Sequence, residues 1–149
     1  MKVTFLLGSK SDEEFAEKIG KVLKEFDIPW SITIASAHKV PKKVCEVIDE
    51  LNADTEPQVV ITVVGMSNGL AGVAAGTCIH PVITCPPHAN LEEYMVDLNS
   101  SLRMPSEVPV MTVLNYKNAA IAAAKILAEG DEGLMEKVKE RMEKVKAKY

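Results

Sequence analysis

Cysteine is sparse in this chain, and Cys45, Cys78 and Cys85 form neither a CxxC pair nor a disulfide framework. Aromatics are few: three Phe, three Tyr and one Trp in 149 residues leave little to stack on a flavin ring. No apolar run approaches the roughly 18 residues that a membrane span needs, which excludes a membrane partner by that route. Positive charge is not in excess. With 17 Lys plus Arg against 21 Asp plus Glu the net charge is -4, and the electrostatic footprint of a nucleic-acid binder is missing. His38, His80 and His88 have no Cys or carboxylate neighbours at metal-ligand spacing, so no metal is expected. The phosphate-binding patterns GxxxxGK[ST] and GxGxxG are absent too. There is no repeat, low-complexity linker or second composition regime. Met1-Lys2 runs straight into the apolar stretch Val3 to Leu7 without a signal-peptide pattern, so a cytoplasmic chain is expected.

What is present is ordinary globular composition, 47% hydrophobic and 26% charged. A chain of this length suits one domain and buries about two-thirds of its unfolded surface. Apolar runs alternate with amphipathic stretches. Val3 to Leu7 reads as a strand buried on both faces and ends at Gly8. Ser11 and Glu14 have capping-box spacing ahead of a helical stripe of Phe15, Ala16, Ile19, Val22, Leu23 and Phe26. Trp30 to Ala35 predicts a second strand. Pro41 sits where a first-turn proline is tolerated, and Val44, Val47, Ile48 and Leu51 mark the helix behind it. Gln58 to Val64, Pro81 to Cys85 and Val108 to Leu114 predict three more strands. The long connection Pro86 to Glu107 has room for a helix at Leu91 to Leu98.

This alternation implies an α/β fold, a parallel sheet with helices on both faces in a three-layer α/β/α sandwich. An Ala-rich helix after Lys117 completes a domain over residues 1–130. Residues 131–149 predict a separate amphipathic helix with Leu134, Val138, Met142, Val145 and Tyr149 on one stripe. Docking on its own domain and docking on a neighbouring subunit both stay open.

Ligands of open parallel sheets bind beyond the carboxyl ends of the strands, and four polar clusters fall there. Gly8-Ser9-Lys10-Ser11-Asp12 joins a glycine turn to a helix start, where N–H groups and two hydroxyls suit a phosphate. In Ser36-Ala37-His38-Lys39, the imidazole suits proton transfer near neutral pH and the ammonium suits a phosphate. Gly65 to Gly72 places three glycines at a strand-to-helix turn, permitting positive φ or a close backbone approach. Within it Ser67 and Asn68 offer donors and acceptors for a heteroaromatic ring or a carboxylate. Cys85-Pro86-Pro87 makes a stiff wall in which Cys85 is a small buried residue with no base beside it. His88 lies on the ligand side, whereas His80 precedes the fourth strand at the opposite end.

Three ordered motifs, Gly8-Ser9-Lys10-Ser11-Asp12, Ser36-Ala37-His38-Lys39-Val40-Pro41 and Ser100-Ser101-Leu102-Arg103-Met104-Pro105, carry a resemblance. The chain resembles the purine-biosynthesis family of phosphoribosylaminoimidazole carboxylases and N5-carboxyaminoimidazole ribonucleotide mutases. Ser67-Asn68-Gly69-Leu70, Cys85-Pro86-Pro87 and Ser101-Leu102-Arg103 look like the direct, animal-type carboxylase branch. Met66 stands where that branch usually has Arg. The resemblance implies a flavodoxin-like core, a homo-octamer and an aminoimidazole ribonucleotide substrate, with carbon dioxide added at C4 and no ATP, biotin or other cofactor. It implies that Ser9, Ser11 and Lys39 hold the phosphate within the Gly8 loop, and that Asp12 holds the ribose. Ser36 and Ala37 would line the pocket and His38 would carry the proton. Ser67, Asn68, Gly69 and Leu70 would face the base and the carboxylate. A mutase and a non-catalytic nucleotide-binding paralogue stay open as alternatives.

Overall fold

In the computed structural model, residues 1–87 and 90–149 are described. Among these residues five strands build the sheet: β1 (Lys2–Leu7), β2 (Trp30–Ile34), β3 (Gln58–Val63), β4 (Val82–Thr84) and β5 (Val110–Thr112). All pairings are parallel and the spatial order is β2-β1-β3-β4-β5. β4 and β5 are shorter than the apolar runs predict. Pro81 and Pro109 have no N–H to give a ladder, and pairing starts one residue after each of them.

Among the described residues seven α-helices connect and cover the strands: α1 (Glu13–Lys24), α2 (Pro41–Ala53), α3 (Gly69–Thr77), α4 (Leu91–Asp97), α5 (Asn99–Leu102), α6 (Tyr116–Ala128) and α7 (Glu132–Lys146). Strand alternation divides the core in two. Val3, Phe5 and Leu7 of β1, with Val59, Ile61 and Val63 of β3, pack under α1, α6 and α7. Leu6, Val60 and Val82 pack on the other face against α2 and α3. Burying each such side chain stabilises the fold by about 1.5–3 kcal/mol. Together these layers make the sandwich that the strand and helix alternation predicts, with the flavodoxin-like core that the resemblance implies.

The capping box forms two residues earlier than Ser11 and Glu14 predict. Ser9 is extended (φ -151°) and caps a short 3-10 turn, Lys10–Asp12, whose Asp12 carboxylate accepts from the Ser9 N–H. Glu14 is drawn elsewhere, to Lys18 at 2.9 Å one helical turn on. The C-terminal helix packs on its own chain through Leu134 and Val138, which join the α1/α6 core. Asp131 caps it by accepting from Leu134 N at 2.7 Å, and Lys137 reaches Asp27 at 2.8 Å. The far end of the same stripe, Val145 and Tyr149, is exposed. No helix among the described residues is long and apolar enough to cross a membrane.

Gly20 of α1 is where the first helix meets the edge strand. A Cβ there would stand 2.4 Å from Trp30 Cε2, and Trp30 is in turn set edge-on to Phe5 with centroids 5.6 Å apart. Gly20→Ala is therefore expected to displace the indole and lower stability by about 1–3 kcal/mol. Trp30 is the sole tryptophan, so a shift in its emission alongside an earlier urea midpoint checks this directly.

Candidate active site at the carboxyl edge of the sheet

The order of strands makes β1 and β3 neighbours whose following helices lie on opposite faces, α1 on one and α3 on the other. A crevice opens where such connections diverge, and the polar clusters meet there. At the end of β1, Ser9 Oγ accepts from Ser11 N at 3.3 Å and from Ser11 Oγ at 2.9 Å. Both serines and Lys10 are exposed, just ahead of α1. Asp12 is buried and receives the Ser9 N–H at 3.0 Å. Burial pushes its carboxyl above the usual range, and the Ser9 hydrogen bond partly offsets this.

That shift has a sign. A carboxyl with a raised folded-state pKa favours the fold fully below its unfolded pKa, and the benefit is lost as pH rises through the folded value. Asp12→Asn removes the buried charge and keeps an oxygen that can accept from Ser9. The stability difference of Asp12→Asn relative to the parent is expected to be more favourable at pH 7 than at pH 4. Urea midpoints of both proteins at the two pH values test it; an equal difference at both would contradict it.

Past β2, Ala35 N still donates to Leu7 O at 2.9 Å, so the chain stays beside β1 before turning. Val40 N closes that turn on Ser36 O at 2.9 Å, and Lys39 N reaches Ser36 Oγ at 3.4 Å. Ser36 and Ala37 are half-buried, while His38 and Lys39 are exposed toward the edge. The turn thus presents the imidazole and the ammonium together.

The loop after β3 carries α3 and takes the second of the two options its glycines leave open, close approach. Positive φ falls on Met66 (φ 56°), and no glycine has it. Met66 is held there from outside the loop: its N–H donates to Asp97 Oδ2 at 2.9 Å, and its carbonyl accepts from Ser100 Oγ at 3.2 Å. Glycine serves close approach instead. A Cβ on Gly69 would lie 3.0 Å from Cε1 and Nε2 of His38, and one on Gly65 3.9 Å from Pro87. The second, third and fourth clusters are thereby brought into one place.

Ser67 is exposed, as a ligand contact needs. Asn68 and Leu70 are placed otherwise. Leu70 is buried in the α2/α3 core. Asn68 caps α3 by accepting from Ala71 N at 3.1 Å, and its amide donates to Thr84 Oγ1 at 2.7 Å and Ser101 Oγ at 2.8 Å. The side chains of Asn68 and Leu70 are spent inside the fold, so what they lend a pocket is the shape of the loop. Sequence reasoning gave Thr84, Asp97, Ser100 and Ser101 no part in this. Ser100-Ser101 stood in a motif, but the partner it holds is far off in sequence.

Cys85 is fully buried, and burial pushes its thiol up to about 12, which leaves it protonated and inert. His80 lies at the other end of the sheet, its Nε2 2.9 Å from Leu51 O and 3.2 Å from the Gln58 amide nitrogen, a structural place. His88 lies outside the described residues. Among the described residues no three His, Cys, Asp or Glu side chains gather as a metal cluster would.

Residues 2–148 match the AIR carboxylase family. A phosphoribosylaminoimidazole carboxylase of Archaeoglobus fulgidus is 46% identical over 93% of this chain and 75% of its own length. An N5-carboxyaminoimidazole ribonucleotide mutase of Methanocaldococcus jannaschii is 39% identical, covering 98% of this chain and 91% of its own. The crystal structure of Treponema denticola PurE superposes with a TM-score of 0.94 at 40% identity, covering 98% of this chain and 92% of that one.

Proposed function

The chain belongs to the AIR carboxylase family of purine biosynthesis, and from that premise we propose that it carboxylates 5-aminoimidazole ribonucleotide directly at C4. The product is the 4-carboxy nucleotide, and neither ATP nor biotin takes part. One observation carries the reading. The His38 imidazole is set against Gly69 at the head of α3, at the edge where the β1, β2 and β3 loops converge. The Ser67-Asn68-Gly69-Leu70 loop, which resembles the carboxylase branch, and the name of the Archaeoglobus relative support it further.

The aminoimidazole is an enamine. Its electron pair forms the new bond from C4 to the carbon of carbon dioxide, and one C=O π pair moves onto oxygen to give the carboxylate. C4 then carries both the carboxylate and its original proton. His38 takes that proton, and the released C–H pair restores the aromatic ring. The same imidazole returns the proton in decarboxylation. Ser9, Ser11 and Lys39 hold the phosphate beside Gly8, and Asp12 accepts from the ribose hydroxyls. Ser36, Ala37, Ser67 and the backbone around Gly69 enclose the base and the incoming carboxylate. Holding carbon dioxide over C4 converts a bimolecular encounter into a positioned one and supplies much of the remaining rate.

The reading includes assembly as a homo-octamer. Met66 on the loop after β3, Leu91, Met95 and Val96 of α4 and Leu102 of α5 are exposed apolar side chains that support self-association.

The mutase is the second reading, favoured by the Methanocaldococcus relative. An ATP-free assay separates the two. Purified protein is given aminoimidazole ribonucleotide with bicarbonate as the carbon dioxide source, or the N-carboxylated nucleotide, and the 4-carboxy product is followed by absorbance. Turnover that rises with carbon dioxide, with no use of the N-carboxy compound beyond its spontaneous breakdown, is expected.

A further inference from the structure

Gly69 opens α3, and its missing side chain leaves the space in which the His38 ring lies. A Cβ at that position would stand 3.0 Å from Cε1, 3.0 Å from Nε2 and 3.8 Å from Nδ1 of His38. Contacts this short to two ring atoms require the ring to give by a few tenths of an ångström. Nothing else among the described residues fixes it by hydrogen bonding, and His38 is exposed on its turn. Contact with residue 69 is thus the restraint that the fold places on one side of the imidazole.

Two further observations give this contact its meaning. First, no glycine of the chain has positive φ, so backbone conformation does not require glycine at 69. Position 69 is also the first residue of a helix, where alanine is the better helix former. Local stability therefore argues for a side chain, and the ring argues against one. Second, Gly69 cannot retreat. Its N–H donates to Ser67 O at 3.0 Å, and the preceding Asn68 is fastened to Thr84 and Ser101 by its side chain and to Ser100 by its N–H at 2.9 Å.

We propose that Gly69 is a positioning residue for the reaction: its lack of a side chain seats the His38 imidazole at the height from which it reaches the C4 proton. This rests on the proposed role of His38 and adds to it a reason for glycine at 69. A side chain there lifts the ring while leaving the phosphate and ribose contacts at the β1 loop in place. A misplacement of about 1 Å at a reacting group can lower turnover by roughly 10²-fold, and a ring moved by a few tenths of an ångström loses a smaller factor.

The test is Gly69→Ala, assayed in the octamer-competent full chain beside His38→Asn. Expected are a melting temperature equal to or above the parent's, kcat lowered by more than about twofold, and a nucleotide KM within about threefold. In the parent, nuclear Overhauser contact is expected between the Gly69 α-protons and the His38 Hε1 proton, and in Gly69→Ala the His38 ring signals are expected to shift. A merely structural glycine would lower the melting temperature and spare kcat. Several results overturn the proposal: kcat within twofold of the parent, a fall in kcat with unshifted ring signals, a rise in KM alone, or loss of folding. If His38→Asn is inactive and Gly69→Ala is not, this inference fails and the role of His38 stands. If His38→Asn turns over normally, the role of His38 itself fails.

Discussion

His38→Asn is expected to lower turnover by about 10²–10⁴-fold while nucleotide affinity stays within a few-fold of the parent. Asparagine fills much of the same volume and keeps polar atoms at the site, but it cannot take up a proton near neutral pH. The imidazole is exposed, and no described residue hydrogen-bonds it, so its removal leaves no buried partner unsatisfied. The melting temperature should not change. Steady-state kinetics in both directions, with calorimetric titration of the nucleotide, separate loss of chemistry from loss of binding. The kcat/KM values for carboxylation and decarboxylation must fall by the same factor, since the overall equilibrium cannot change.

Asn68→Ala is expected to give the largest loss of stability, about 2–4 kcal/mol. The side chain is 3% exposed and makes three hydrogen bonds, one as the α3 cap and two to the Thr84 and Ser101 hydroxyls. Losing such a cap costs about 1 kcal/mol, and each further bond about the same, with more where a buried hydroxyl is left unpartnered. Turnover should fall as well, because Asn68 fixes the residue on which the His38 ring rests. Ser101→Ala removes one of the amide's two acceptors and should cost only about 1 kcal/mol. Urea denaturation of the three proteins measures both values. A cost near zero for Asn68→Ala would show that the loop is held by other means.

The strand and helix alternation was legible because both faces of the sheet are covered. Continuous apolar runs such as Val3 to Leu7 and Gln58 to Val63 have few other uses, and the glycine and proline residues punctuate them. The phosphate loop was legible as a place but not in its detail. Ser9, Ser11 and Asp12 compete with Glu14 for the capping role, and three-dimensional reach decides for Ser9 and Asp12. The β3 loop was read least well. Its glycines leave positive φ and close approach both open; Gly69 serves close approach, and Met66 takes the positive φ because Asp97 and Ser100 hold its backbone. A tie between residues so far apart in the chain leaves no local pattern. For the same reason Asn68 looked like a ligand contact, since a polar side chain turned inward reads identically in sequence to one turned outward. The C-terminal stripe was legible as a stripe. Only the fold shows that Leu134 and Val138 are covered by the domain while Val145 and Tyr149 are not.

The most direct test of the proposed activity follows the origin of the new carboxyl group. The N-carboxylated nucleotide, labelled with carbon-13 in its carboxyl group, is mixed with enzyme in excess unlabelled bicarbonate, and the 4-carboxy product is collected for mass analysis. Direct carboxylation draws carbon dioxide from solution, so the product should carry the label diluted to the level of the dissolved pool and should form no faster than the N-carboxy compound breaks down. A product that retains the label, formed faster than that breakdown, would mean transfer from nitrogen to C4 and would contradict the account.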